Sequence, residues 1–230
     1  LVEYDIRIIS SPNKGYRFNK FEQLDTAEQN LFQEGVSNLE TAKQRINYIL
    51  YRLLENTFKD IVITQNDLAE EMYISLSTLK MHLNEVKDIL QKYDLKVTQY
   101  KTKGIKVIGE EVKIRYCIVD MINTCSTEKF FQKILANVDI ELLDKIIKET
   151  LSYKKIQLAD RSKEKFCLHI AIGMQRSNCN KFVSYPSSIA NKIENTFEYN
   201  VAKELIDNIL KKMNIDIACS EVYYIAQCLL

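Results

Sequence analysis

The sequence is poor in turn-forming residues, in histidine and in net charge. Its 230 residues include 5 glycines, 2 prolines and 2 histidines, and 32 basic residues face 31 acidic ones, which leaves a net charge of +1. Few glycines and prolines disfavour turn-rich β folds and predict a mostly α protein. A near-zero charge provides no global field toward nucleic acid or an anionic membrane, so binding to either needs a local patch.

The six cysteines form no CxxC pair and do not reach the density of a disulfide scaffold. They predict reduced, partly buried thiols and a cytoplasmic location. No glycine-rich phosphate loop, carboxylate-histidine arrangement or metal-ligand spacing occurs, so we predict neither an enzyme nor a metal or cofactor site. No apolar run of 18 residues and no charged-then-apolar N-terminus occurs, so we predict neither a membrane span nor a signal peptide. The chain starts at Leu1 and stops within a helical pattern, which indicates a piece of a longer protein.

A short internal repeat predicts two β-hairpins. The segment YDIRIISSPNKGYRF (4–18) aligns without a gap to YDLKVTQYKTKGIKV (93–107). In each copy, alternating apolar residues flank a Lys-Gly pair, and the glycine can take a positive φ at a tight turn. Each copy therefore predicts a strand, a turn and a second strand.

Three helices are predicted before the second hairpin. Apolar residues at spacings of three and four mark a helix from Thr41 to Phe58. Thr64 and Asp67 form the capping box of a short helix (64–72), and Ser75 caps a third helix that follows. Helix, short helix, turn, helix and hairpin is the order of a winged helix-turn-helix, which we place at residues 39–120. Residues 1–38 are then the wing of a truncated upstream copy plus a linker.

The second half of the chain predicts only helices. Segments 139–153, 160–177, 188–198, 200–213 and 219–230 each carry apolar residues at i, i+3 and i+4. This pattern predicts an all-α bundle of five helices at residues 128–230.

Candidate DNA contacts lie on the third helix and on the wing. Polar or flexible side chains near the start of the helix can contact base edges and phosphates. Lysines on the hairpin can contact the phosphate backbone. Alternatively, the hairpin lysines only prevent its edge from pairing with other strands. His82, in the same helix, is expected at the surface or a boundary. The candidates are Ser75, Ser77, Thr78, Lys80, Met81 and Asn84 on the helix, Lys101, Thr102 and Lys103 at the wing tip, and Lys96 and Lys106 beside it.

His169 lies in the apolar run FCLHIAIGMQR (166–176) and has three possible roles. A metal site or a Cys-His pair would use Cys167, but residues two apart on a helix do not face one another. A packed histidine at a helix boundary is the simplest interpretation of the residues alone.

Two motifs in this half, however, resemble a known family. LHIAIGMQR (168–176) and SEVYYIAQCLL (220–230) are similar to the paired signature of the phosphotransferase-system regulation domain, or PRD: Leu-x-x-His-Leu-x-Ile-x-x-x-Arg and Glu-x-x-Tyr-Ile-x-x-His. The stretch from Ile74 to Arg115 resembles the Mga-like helix-turn-helix of PRD-containing transcriptional activators. Together the two resemblances cover nearly the whole chain.

The resemblance implies a dimeric, DNA-binding regulator of carbohydrate genes, not an enzyme, whose PRD histidine accepts phosphate from the phosphocarrier HPr or from enzyme II components. His169 falls on the first acceptor position, and Arg176 falls on the family arginine, where it would steady the phosphate or the partner subunit. Cys228 replaces the second histidine and is expected, with Arg176, to support the phosphate or the interface. That departure favours one alternative, a global or virulence activator whose PRD only dimerises. A further alternative is an RNA-binding antiterminator, because PRDs also occur in such proteins.

Overall fold

The computed structural model describes residues 6–11, 15–20, 39–100, 104–125, 133–215 and 217–230. The chain divides into two compact units, Leu1–Asn38 and Leu39–Leu230. In the first unit, β1 (Ile6–Ser11) and β2 (Gly15–Lys20) pair antiparallel, with Ser11 opposite Gly15. The first predicted hairpin is therefore confirmed.

The second unit opens with a long capped helix, α1 (Ala42–Lys59). The Thr41 hydroxyl accepts the Gln44 amide N–H at 3.2 Å, and the Gln44 side chain accepts the Thr41 amide N–H at 3.0 Å. This capping box satisfies backbone donors that have no partner within the helix. The predicted apolar stripe is fully or nearly fully buried: Ile46, Ile49, Leu50, Leu53 and Leu54.

Two further helices complete the helix-turn-helix. They are α2 (Gln65–Glu71), capped by Thr64, and α3 (Leu76–Gln91), capped by Ser75. Tyr73, in the turn between them, takes a φ of 53°. The predicted inner face of α3 packs into the core through Leu79, Leu83, Val86 and Leu90.

The second hairpin forms where the repeat predicted it. β3 (Lys96–Tyr100) pairs antiparallel with β4 (Gly104–Ile108), and Ile63 adds a bridge to Ile105 through two backbone hydrogen bonds. Gly104 has a φ of 119°, and a Cβ there would lie 2.4 Å from the Ile63 carbonyl oxygen. Only glycine permits this approach, which fixes the hairpin against the start of α2.

The helix α4 (Glu111–Thr124) was not predicted. It follows the wing directly and buries Ile114, Cys117, Ile118 and Ile122. Their spacing of three and four is the signal that the sequence reading missed. Helix α4 packs against α6 of the following bundle, so it joins the helix-turn-helix to that bundle.

The predicted five-helix bundle is confirmed, with shifted boundaries. A short 3₁₀ turn (Lys133–Leu135) leads to five helices. The break expected near residue 199 lies earlier, because the Thr196 hydroxyl accepts the Tyr199 amide N–H and starts the fourth helix at Phe197. The helices are α5 (Ile140–Tyr153), α6 (Asp160–Asn178), α7 (Ser187–Glu194), α8 (Phe197–Met213) and α9 (Glu221–Leu229).

One apolar core holds this bundle together. It is built from buried side chains of all five helices, among them Leu143, Phe166, Ile193, Leu205 and Ile225. Each such side chain contributes roughly 1.5–3 kcal/mol by leaving water. Of the helices in the described ranges, none is long and apolar enough to cross a membrane.

Candidate nucleic-acid interface and histidine site

Three hydroxyl groups cluster at the start of α3. The Ser75 hydroxyl accepts the Thr78 amide N–H at 3.1 Å and lies 2.7 Å from the Ser77 hydroxyl and 2.9 Å from the Thr78 hydroxyl. The cluster is at the surface. It presents donors beside the positive end of the helix dipole, an arrangement that suits a phosphate oxygen.

The remaining predicted contacts on α3 are all exposed. Lys80, Met81 and Asn84 lie along one outer face, and Met81 is 56% exposed. The structure adds two exposed apolar side chains that the sequence reading missed, Tyr73 and Leu76. The polar and apolar groups of this face match the mixture of hydrogen-bonding edges and thymine methyl groups in the major groove.

The wing is only partly described. Lys101, Thr102 and Lys103, predicted at its tip, lie outside the described residues. Lys96 is exposed, but Lys106 lies 3.0 Å from an oxygen of Asp60 and 4.6 Å from the centre of the Tyr100 ring. Lys106 is therefore already paired within the chain.

His82 does not lie at the surface or at a boundary, as its sequence context suggested. It is 1% exposed, and neither ring nitrogen has a hydrogen-bond partner among the described residues. The helix turns this residue inward beside Leu83 and Val86. In this conformation the His82 ring faces the core and not the exposed outer face of α3.

His169 is buried in α6 against two tyrosines. Its Nδ1 lies 2.8 Å from the Tyr224 hydroxyl of α9, and its ring meets the Tyr116 ring edge-on with centres 4.9 Å apart. Burial, with a smaller contribution from the Lys165 charge, lowers the pKa of His169 to about 4, and the Asp120 carboxylate opposes this shift only in part. The imidazole is therefore neutral at pH 7, with lone-pair nitrogen chemistry available.

Cys228 belongs to the same cluster. The hydroxyls of Tyr116 and Tyr224 adjoin its thiol and favour the thiolate, but burial outweighs them and raises the pKa of Cys228 to about 12. The group is thus a neutral thiol at pH 7 and a poor nucleophile. The fold brings His169 and Cys228 together around the Tyr224 hydroxyl, although 59 positions separate them along the chain.

Arg176, expected to steady the phosphate or the partner subunit, contacts two other helices of this chain. Two helical turns from His169, its guanidinium donates to both carboxylate oxygens of Glu111, at 2.8 and 2.5 Å, and to the Thr57 hydroxyl at 2.6 Å. It also stacks on the Phe58 ring at 4.7 Å. Arg176 therefore binds the bundle to α1 of the helix-turn-helix.

The arginine beside the histidine cluster is Arg115 of α4, which sequence reasoning missed as a functional residue. It is fully buried and donates to both oxygens of Glu221, at 2.5 and 2.9 Å, and to Glu111 at 2.9 Å. Its guanidinium lies 4.6 Å from the centre of the Tyr224 ring. Nothing in the sequence pairs Arg115 with Glu221, because they are 106 positions apart.

A metal centre finds no support in the described part of the chain. Across those ranges, no group of three or more His, Cys, Asp or Glu side chains is arranged to hold a metal ion. The buried acidic groups named above are instead matched by arginines.

Both parts of the chain match known families. Residues 21–121 match the Mga helix-turn-helix domain, and residues 144–230 match the PRD domain. The chain is 28% identical over 193 residues to the probable licABCH operon regulator of Bacillus subtilis (strain 168), and 26% identical over 176 residues to the transcriptional regulator ManR of the same organism. These alignments cover 82% and 74% of this chain but 30% and 27% of the two relatives, so the chain spans less than a third of their length.

Proposed function

We propose that this chain, which belongs to the PRD-containing transcriptional regulators, is the DNA-binding and first regulatory part of a cytoplasmic regulator of carbohydrate uptake or metabolism genes. The observation that carries the proposal is the exposed outer face of α3 on a winged helix-turn-helix whose next helix is bonded directly to the PRD. Helix α3 reads the major groove, the wing contacts the backbone, and residues 1–38 supply the wing of an upstream copy.

The regulatory input is phosphate on His169. In the tautomer that this transfer needs, Nδ1–H donates to the Tyr224 hydroxyl oxygen and Nε2 carries the lone pair, so Nε2 is the atom that accepts the phosphoryl group. In the transfer, a P–N bond forms at Nε2 while the P–N bond of a phosphohistidine on HPr or an enzyme II component breaks. The imidazole released on the carrier takes up the proton that His169 gives up, so charge and atoms balance. A neutral imidazole is the form that this reaction needs, and the low pKa supplies it.

A second candidate function rests on the burial of the site. His169 is 5% exposed and bonded to Tyr224 of α9, so a phosphate donor reaches its ring only after α9 moves. Cys228, a protonated thiol, does not replace it as an acceptor. In the alternative, α9 does not move, and the PRD serves as a homodimerisation module without phosphate control. The two candidates share the DNA-binding face and differ only in the input.

Phosphotransfer separates the two candidates. The purified chain and its His169→Ala and Cys228→Ala variants are incubated with phosphoenolpyruvate, enzyme I and HPr, and acid-labile phosphate is measured by intact mass. We expect acid-labile phosphate on the native-sequence chain and on Cys228→Ala, and none on His169→Ala. An unlabelled native chain would favour the dimerisation module.

DNA binding needs its own test, because it is common to both candidates. We expect the logarithm of the binding constant to fall linearly with the logarithm of salt concentration, with a slope set by the number of phosphates contacted. The double variant Lys101→Glu with Lys103→Glu should reduce both the affinity and the slope. An unchanged slope would remove the wing from the interface.

A further inference from the structure

A continuous chain of buried polar contacts leads from the His169 site to α1 of the helix-turn-helix. Glu221 of α9 accepts hydrogen bonds from Arg115 of α4, Arg115 also donates to Glu111, and Glu111 accepts two hydrogen bonds from Arg176. Arg176 then reaches Thr57. Two arginines and two glutamates balance in charge, and three of the four are at most 2% exposed.

Arg115 connects this chain of contacts to the histidine site through Tyr224. It stacks on the ring of Tyr224, whose hydroxyl bonds the His169 ring. It also passes over Gly173, one helical turn beyond His169: a Cβ at that glycine would lie 3.4 Å from Arg115 and 3.1 Å from Glu221. Residues one turn apart on a helix face have Cβ atoms about 5–6 Å apart, so the Arg115 guanidinium lies about one helical turn along α6 from the residue that would carry the charge. The charged groups that act on the unmodified His169 ring are Lys165 and Asp120.

A guanidinium fork prefers a phosphoryl dianion to a single carboxylate, because it can donate two charge-assisted hydrogen bonds to a group of higher charge. A phosphoryl group on His169 therefore competes with Glu221 for Arg115. Any shift of Arg115 also moves its other partner, Glu111, and Glu111 is the sole carboxylate among the described side chains that Arg176 contacts.

We infer that Arg115 is the positioning residue through which the charge state of His169 is passed to the DNA-binding domain. The inference rests on the proposed phosphorylation of His169 and names the route by which it acts. Negative charge at residue 169 draws Arg115 away from Glu221, loosens the Glu111–Arg176 pair, and frees the end of α1 that carries Thr57 and Phe58.

Hydrogen exchange at residues 54–59, read by mass spectrometry, tests the route without phosphotransfer. The measured quantity is the exchange-rate ratio between His169→Asp and His169→Asn, which differ in charge but hardly in shape. In the otherwise native chain, we expect His169→Asp to exchange at least about three times as fast as His169→Asn. In an Arg115→Lys background, which keeps the charge but loses the fork, the ratio should return to about one.

The matched control is Arg161→Lys, the same change at an exposed arginine in the first turn of α6. The ratio should persist in that background. The inference would be overturned if the ratio in the Arg115→Lys background were as large as in the otherwise native chain. A ratio of one in every background would overturn it as well. Both outcomes are independent of the phosphotransfer assay, in which an unlabelled chain counts against the proposed function alone.

Glu221→Gln provides a second test that leaves His169 untouched. It keeps the side-chain shape and removes the charge that holds Arg115. Exchange at residues 54–59 should accelerate, whereas Glu194→Gln, at the end of α7, should leave it unchanged. Native exchange rates in a folded Glu221→Gln protein would disprove the coupling.

Discussion

The outer face of α3 and the His169 cluster are opposites in their physical state. On α3, Lys80, Met81 and Asn84 are exposed. In the cluster, His169 and Tyr224 are buried and bonded to each other, and Arg115 is held by two carboxylates. The first surface can bind a ligand without rearrangement, whereas the second must move before it can react. The comparison therefore contrasts an accessible surface with a buried, internally bonded site, and stability measurements can test it.

The largest expected effect is the loss of Arg115. Arg115→Met leaves Glu221 buried with its charge unmatched, so the free energy of unfolding should fall by about 3–5 kcal/mol in urea denaturation. Lys80→Met on α3 is the matched control and should change it by less than about 0.5 kcal/mol. Equal decreases in the free energy of unfolding for Arg115→Met and Lys80→Met would mean that the buried cluster and the α3 face do not differ in this way.

The pH dependence of stability follows from His169. Its pKa is about 4 in the folded chain and about 6.5 in a histidine exposed to water, so the unfolded state binds more protons between these values. The stability is therefore fully present above pH 6.5 and declines as pH falls toward 4, by up to about 3 kcal/mol. His169→Asn should reduce this decline, as measured by urea denaturation at a series of pH values. A decline of the same size in the variant would assign it to other groups.

A smaller effect is expected at the cap of α3. Ser75→Ala removes the acceptor for the Thr78 amide, and the free energy of unfolding should fall by about 1 kcal/mol. Ser77→Ala removes a neighbouring hydroxyl that caps no amide, so stability should change by less than about 0.5 kcal/mol. Both variants should weaken DNA binding in a fluorescence anisotropy titration. Undiminished affinity in both would place the hydroxyl cluster outside the interface.

The smallest effect on stability is expected at Met81. Its side chain is mostly in solvent, so Met81→Ala should shift the thermal midpoint very little. The same variant should lower DNA affinity, because an apolar contact with a base methyl group is lost. Loss of stability with unchanged DNA affinity would reverse the contrast between the two regions.

Sequence patterns located the elements of both regions but not the contacts between them. Thr64 and Ser75 were identified as caps from local chemistry alone, and the repeat identified both hairpins. These features depend on residues within a few positions of one another, which is the range over which spacing and capping rules act.

The contacts that cross the chain were not predictable in the same way. Arg176 was placed on the correct helix, but its partner Glu111 lies on α4, a helix that the sequence reading missed. Arg115 and Glu221 meet only because α4 and α9 pack on the same side of α6. Such pairings depend on tertiary packing, and a single sequence records no distance between remote residues.

Helix α4 has a consequence for exchanging domains between regulators of this kind. The helix-turn-helix family match ends at residue 121, which suggests a domain junction there. Helix α4, however, contributes Arg115 and Glu111 to the packing of the PRD. A PRD transplanted without α4 would carry Glu221 and Arg176 into an interior that offers them no counter-charge. A working chimera therefore has to keep α4 with the PRD and make its junction before Glu111, in the exposed turn around Gly109 and Glu110.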